Sequence, residues 1–174
     1  MHGCNRIPSP TLPAAPEYAA GVSGYRVGIV CSSGGHLAQL HCLDAWWSRH
    51  ERFWVTFDKP DAVSLLEGER VYWGHHPTNR NLKNALRNAW MALRVLAKER
   101  PDVLVSNGAG LAVPFFWIGK CVFGCKTVYI EVYDRIDSPT LTARLVRPVL
   151  DRMVVQWEEQ RAFYPEGILF GGVL

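Results

Sequence analysis

Tyr25-Arg26-Val27-Gly28-Ile29-Val30-Cys31-Ser32-Ser33-Gly34-Gly35-His36-Leu37 is the stretch on which the fold turns. Its first half is a short apolar run rich in β-branched residues, and it predicts a buried strand over 26–31. Two serines and two glycines follow, and the amphipathic pattern that begins at His36 predicts a helix over 36–49. A buried strand passing through a glycine turn into a helix is the opening of a βα unit. Further strand patterns at 52–57, 70–73, 102–106, 127–132 and 152–156 alternate with helical stretches. Such alternation implies right-handed βαβ crossovers and a parallel sheet covered by helices on both faces. The expected architecture is therefore an α/β, Rossmann-like domain. Ligands of such sheets sit beyond the carboxyl ends of the strands, so chemistry is expected in the loops after Cys31, Phe57, Ser106 and Val132.

The chain length of 174 residues suits one domain of this kind and is too short for two. Residues 1–24 hold Pro8, Pro10, Pro13 and Pro16 among Ala, Ser and Gly, a composition that sustains neither a helix nor a sheet ladder. They read as a disordered leader ahead of a domain over 25–174. No basic segment followed by an apolar run of secretory type opens the chain, which points to the cytoplasm. The net charge of +3 permits an anionic ligand but falls short of a dedicated nucleic-acid binder. Cys4, Cys31, Cys42, Cys121 and Cys125 show no CxxC pair and no zinc-finger spacing, so they read as free thiols, and no metal site is expected. The uncharged run 103–119 approaches the length of a membrane span. Ser106, Asn107, Gly108, Gly110 and Pro114 break it into a strand, a loop and a helix start.

Four motifs carry candidate chemistry. In the first, Ser33, Gly34 and Gly35 let backbone N–H groups approach a phosphate or diphosphate at a helix start, and His36 stands at the mouth as a base or a phosphate ligand. The plainer alternative is a tight turn with a solvent-facing histidine. A dinucleotide site needs a third glycine at the correct offset, and Gly28 lies inside the strand. Asp58 after the second strand is the one feature that keeps a nucleotide-binding oxidoreductase under consideration. In the second motif, Asn107, Gly108 and Gly110 repeat the glycine-turn logic on the same sheet edge, and together the two turns suggest a cleft for an extended anionic ligand. In the third, an apolar strand ends in Glu131, which either hydrogen-bonds a sugar hydroxyl, holds His36 in position or pairs with Arg135. The fourth is a helix over 79–100. At 100° per residue, Arg80, Lys83, Arg87, Arg94 and Lys98 fall in an arc of roughly 60°. Beside that arc runs an apolar stripe of Leu82, Leu86, Ala89, Trp90, Leu93 and Leu96, expected to pack on the sheet. A basic amphipathic helix can also lie on anionic headgroups, with Trp90 at the boundary. Trp46-Trp47 and Phe115-Phe116-Trp117 belong to core or to an interface.

The ordered set resembles the Alg-fourteen-like, PssD-type family of glycosyltransferase subunits. It comprises Ser33-Gly34-Gly35-His36, the run from Pro101 to Gly110 with Pro114, Tyr129-Ile130-Glu131 and Val154-Val155-Gln156-Trp157-Glu158. More distantly the chain is similar to the N-terminal, acceptor-binding half of MurG. The resemblance implies half of a GT-B glycosyltransferase split over two chains. This chain would bind a polyprenyl-diphosphate-linked saccharide at the membrane, peripherally on the cytoplasmic face of the inner membrane. A PssE-type, Alg-thirteen-like partner would supply most of the site for UDP-GlcNAc or UDP-glucuronic acid. His36 carries over as the base that deprotonates the acceptor hydroxyl, with Glu131 as its helper and no cofactor or metal ion. The alternative within the same complex is a non-catalytic scaffold that recruits the partner to the membrane.

Overall fold

Six short apolar runs of the sequence become neighbouring strands of one sheet. The structure, a computed structural model, describes residues 24–78 and 81–172. The order of elements is β1 (Arg26–Val30), α1 (Gly35–His41), α2 (Asp44–Trp47), β2 (Glu51–Phe57), α3 (Pro60–Leu65) and β3 (Val71–Gly74), then α4 (Leu82–Glu99), β4 (Val103–Ser106), α5 (Ala112–Cys121), β5 (Lys126–Ile130), α6 (Leu141–Val146), β6 (Arg152–Val155) and β7 (Ile168–Leu169). Apart from Gly24, the proline-rich leader lies outside the described residues, as does Arg80. The strands form a seven-stranded sheet in the order β3-β2-β1-β4-β5-β6-β7, and every pairing is parallel. The direction of strand addition reverses between β1 and β4, where Val27, Gly28 and Ile29 lie opposite Val103, Leu104 and Val105. That switch point is where a sheet of this type opens a crevice.

Side chains alternate between the faces of a strand, so each strand feeds two cores. Phe53, Val55 and Leu104 pack under α4, α5 and α6 with Leu96, Phe115 and Val146. On the other face Val27, Ile29 and Trp54 pack with Leu37, Leu40 and Trp47. Gly28 serves this packing rather than a ligand, because a Cβ there would meet Phe53 Cζ at 2.6 Å and Leu104 Cδ2 at 2.7 Å. Burial pushes the Cys31 thiol up to about 12, which leaves it inert. The uncharged run 103–119 is β4, a loop and most of α5, and no helix among the described residues is long and apolar enough to cross a membrane.

Two expectations are corrected. The helix over 36–49 is two helices, broken at Cys42 and Leu43. There the Trp47 indole donates to the Leu40 carbonyl and the chain restarts at Asp44. The larger correction concerns α4, whose apolar stripe, apart from Leu96, is not its packed face. Leu82 (75% exposed), Leu86 (65%) and Trp90 (62%) point outward, while Asn84, Asn88, Ala92, Val95, Leu96 and Glu99 face the protein. Hydrogen bonding decides the rotation. Asn88 exchanges two bonds with the His75 backbone (2.8 and 2.9 Å), Asn84 donates to the Pro77 carbonyl (3.0 Å), and Glu99 accepts from Arg70 and Tyr72. Among the aromatic pairs, Trp47, Phe115 and Phe116 are core, and Trp46 and Trp117 stay partly exposed.

Candidate functional site

The glycine turn after β1 and the turn after β4 meet at the switch point. Gly34 caps α1 with φ of 79°, a left-handed conformation that glycine adopts without penalty. Neither Gly34 nor Gly35 has any atom within 4 Å of where a Cβ would stand, so the space above the first turn of α1 is open. The turn after β4 is held from within: the buried Ser106 hydroxyl accepts from the Gly108 N–H (3.1 Å). The two turns touch through His36 and Gly108, since a Cβ on Gly108 would lie 2.8 Å from His36 Cε1.

His36 lies half-buried between them, lining a cavity of about 370 Å³ with Gly35, Gln39, Val132, Tyr133 and Asp134. Burial lowers the imidazole pKa below its ordinary value, against an opposing pull from the Asn107 backbone and side chain and from the Asp134 and Glu131 carboxylates. The ring is therefore neutral at physiological pH, the state a general base requires. His36 Nδ1 and Asn107 Oδ1 are both buried without a well-formed hydrogen bond. Unsatisfied buried polar atoms of this kind are few in native proteins.

The predicted site residues divide into those that face the cavity and those that build it. Gly35 and His36 face it. Asn107 does not: its side-chain amide donates to the His36 carbonyl (2.8 Å) and to Gln39 Oε1 (3.2 Å), tying α1 to the β4 turn. Gly110 packs against Thr78 of the loop after β3. The Gly34 N–H already donates to a carboxylate, Asp61 Oδ2 at 2.6 Å, from the first turn of α3. Ser33 is half-buried in the first turn.

Glu131 stands beneath the cavity rather than in it. Fully buried, it accepts from the Tyr164 hydroxyl, the Thr140 hydroxyl (3.2 Å) and the Val132 N–H (3.1 Å). Arg135 is not its partner: among the described residues no ion pair joins the two, and the Glu131 oxygens are taken by the two hydroxyls and the backbone N–H. Around Glu131 a set of buried amides fixes the loop that carries Tyr133 and Asp134. Gln156 donates to the Glu131 carbonyl (2.8 Å), Gln160 donates to the Val132 and Arg135 carbonyls (3.0 and 2.8 Å), and the Trp157 indole donates to the Tyr133 carbonyl (2.8 Å). Sequence reasoning singled out Gln156 and Trp157 within a motif and missed Gln160, Tyr164 and Asp61. A glutamine or tyrosine far along the chain carries no local signal that it will brace a loop. Of the surface residues, Lys83, Arg87, Trp90 and Arg94 all lie exposed on α4. Among the described residues no group of three His, Cys, Asp or Glu side chains is placed to hold a metal ion.

A parallel sheet in this strand order, with a glycine turn on each side of its switch point, defines a Rossmann-like domain of the type found in GT-B-like enzymes. MurG from Acinetobacter baumannii superposes with a TM-score of 0.65 at 13% identity, over 78% of this chain and 42% of that one. UDP-N-acetylglucosamine 2-epimerase from Rickettsia bellii gives 0.68 at 13% identity, over 87% and 46%. At such identity the likeness is one of fold, and this chain spans under half the length of either protein. Residues 74–173 match the family described as "Oligosaccharide biosynthesis protein Alg14 like". The chain belongs to that family. Relatives named "UDP-N-acetylglucosamine transferase subunit ALG14" include the human protein (24% identical over 84% of this chain and 82% of its own) and the rat protein (23%, over 93% and 87%). The corresponding protein of Debaryomyces hansenii is 25% identical over 85% and 76%.

Proposed function

We propose that this chain is the acceptor-binding subunit of a two-component glycosyltransferase. With a separate donor-binding subunit of PssE type, it transfers a sugar from a UDP-sugar, UDP-GlcNAc or UDP-glucuronic acid, to a lipid-diphosphate-linked saccharide. The observation that carries the reading is the junction of the two glycine turns around a half-buried His36. The names of the ALG14 relatives support the transferase class and the subunit status. In this reading His36 takes the proton of the acceptor hydroxyl, and the oxygen attacks the anomeric carbon of the donor sugar. The bond from that carbon to the phosphate oxygen breaks, and UDP leaves with its charge stabilised by groups of the partner. Asp134 faces the same cavity and favours the imidazolium that forms. Glu131 is a positioning residue: it holds the Tyr133–Asp134 loop through Thr140 and Tyr164. The outward apolar face of α4, flanked by Lys83, Arg87 and Arg94, seats the subunit on an anionic membrane surface, peripherally and on the cytoplasmic side.

The experiment is sugar transfer from a panel of radiolabelled UDP-sugars to membrane lipid, with this chain alone and with its partner. Activity only in the mixture supports the split enzyme and names the donor. His36→Ala then separates catalysis from scaffolding: loss of turnover with assembly and acceptor affinity retained assigns the base, and unchanged turnover assigns all chemistry to the partner.

A further inference from the structure

A neutral imidazole carries its hydrogen on one of two nitrogens, and only the bare one can act as a base. In His36, Nδ1 is sealed from solvent without a partner, which leaves Nε2 as the nitrogen that can open to the cavity the ring lines. The Nδ1 edge of the ring lies against the turn after β4: a Gly108 Cβ would stand 2.8 Å from Cε1 and 3.2 Å from Nδ1. Glycine at 108 lets the ring come this close. The residue before it, Asn107, is fully buried, and its Oδ1 is the second polar atom at this junction without a partner.

The orientation of the Asn107 amide is set from its nitrogen side. Nδ2 donates to the His36 carbonyl (2.8 Å) and to Gln39 Oε1 (3.2 Å), both of them acceptors, so a flipped amide would set oxygen against oxygen. Oδ1 is thereby fixed as an acceptor that lacks a donor, and the Asn107 side chain already pulls on the imidazole against the effect of burial. A buried acceptor left alone is costly, whereas an acceptor and an N–H left alone at one junction satisfy each other. The competing acceptor is the buried Tyr129 hydroxyl, 3.4 Å from the same Gly108 position, but it is paired with Thr140 at 2.9 Å. Glu131 is excluded, since its oxygens are taken by Tyr164, Thr140 and the Val132 N–H.

We propose that Asn107 is the positioning residue of His36: its Oδ1 accepts from Nδ1–H and so fixes the tautomer that leaves the Nε2 lone pair facing the cavity. The contact is loose in the free chain and tightens in the substrate complex, as hydrogen bonds of reacting groups commonly do. In the transfer step the proton of the acceptor hydroxyl goes to Nε2, Asn107 keeps its bond to the imidazolium, and the Nε2 proton then leaves to solvent. The proposal rests on the reading of His36 as the base and deepens it by naming the group that sets the ring. Nitrogen NMR of the full chain with isotope-labelled histidine tests it, run above the His36 titration midpoint with His36→Gln to identify the signal. Hydrogen on Nδ1 is the expected result, and hydrogen predominantly on Nε2 overturns the proposal. Asn107→Asp keeps the oxygen and should retain Nδ1–H while its carboxylate raises the midpoint; an unmoved midpoint overturns the pairing. Asn107→Leu removes the oxygen, and should send the hydrogen to Nε2 and cut kcat roughly 100-fold with KM for the UDP-sugar little changed. Should that variant unfold through loss of the tie between α1 and the β4 turn, the wild-type tautomer and the Asn107→Asp midpoint decide the matter. Tyr129→Phe should keep Nδ1–H; its loss there, with retention in Asn107→Leu, would give the role to Tyr129 and overturn the proposal. Hydrogen on Nδ1 with undiminished turnover in His36→Ala supports the pairing and overturns the base it serves. Hydrogen on Nε2 with turnover lost in His36→Ala does the reverse.

Discussion

Gly108→Ala places a methyl group 2.8 Å from His36 Cε1, 3.2 Å from its Nδ1 and 3.4 Å from the Tyr129 hydroxyl. Carbon atoms in favourable contact stand about 3.5–4.0 Å apart, so the imidazole must withdraw by roughly 1 Å or the turn must open by as much. The backbone adds a second cost, because φ of 138° at this position suits glycine and strains an L-residue by about 1–3 kcal/mol. The ring ends a rotatable side chain and borders an open cavity, so it yields before the core does. We expect a stability loss of about 1–3 kcal/mol. A reacting group displaced by 1 Å costs about 100-fold in rate, which sets the expected fall in kcat, with KM for the UDP-sugar little changed. Two assays read this. Chemical denaturation gives the stability, and an NMR titration of the His36 imidazole reports its environment without depending on turnover. In the variant the titration midpoint should move up toward the ordinary histidine value as the ring leaves its buried seat. A variant with an unmoved titration and undiminished kcat would show that the β4 turn does not set the ring, and a moved titration with undiminished kcat would remove His36 from the reaction.

Four further outcomes are expected. Asn88→Ala leaves the His75 N–H and carbonyl without their side-chain partner, and should cost about 2–4 kcal/mol in denaturant unfolding. Asp61→Asn removes a carboxylate from the Gly34 N–H; calorimetry should show a few-fold tighter binding of inorganic diphosphate, and weaker binding would show that Asp61 shapes the turn rather than competing for its N–H. Burial alone would raise the Asp151 carboxyl, but Lys120 at 2.7 Å from both oxygens and Thr127 hold it down to about 2. Its stabilisation is complete above the unfolded value near 3.9 and is lost as pH falls toward 2, so Asp151→Asn should flatten an acid unfolding curve over that window by about 1–2 kcal/mol. For His36 the depressed pKa means that the unfolded chain takes up the proton first as pH falls, so stability declines below the ordinary histidine value. The acid limb of the transfer profile should lie below it too, and His36→Gln should remove that limb's dependence on this group.

The alternation of apolar runs made most of the sheet legible in advance. Runs such as Val27–Val30 and Val103–Ser106 are apolar on both faces because a central parallel strand is buried on both, and that pattern is local. The boundaries shifted by only a residue or two, and the strand missed was β7, whose two residues lie exposed at the edge. The glycine turns were legible for the same reason: Gly34 is required by its own backbone angle, and Gly108 by the turn it closes. What those turns do was less legible. Asn107 looked like a ligand because it sits beside Gly108, but its amide is used by the His36 carbonyl and Gln39, residues about 70 positions away.

Sequence alone determined the fold class, the two turns at one sheet edge, the family resemblance and the histidine between the turns, because each depends on residues close together in the chain. Tertiary structure alone decided the rotation of α4 and the seat of Glu131. Periodicity gives a helix an apolar face but does not say which face the protein will cover. Asn84, Asn88 and Glu99 have partners only when they turn inward to the loop after β3, to Arg70 and to Tyr72, so Leu82, Leu86 and Trp90 turn outward while Leu96 stays buried. Glu131 likewise reads as a reactive acid at a strand end until Tyr164, 33 positions on, and the nearby Thr140 occupy its oxygens. Hydrogen-bond demand between separate elements is a property of the assembled fold, and it placed Glu131 beneath the site and turned most of the α4 stripe outward.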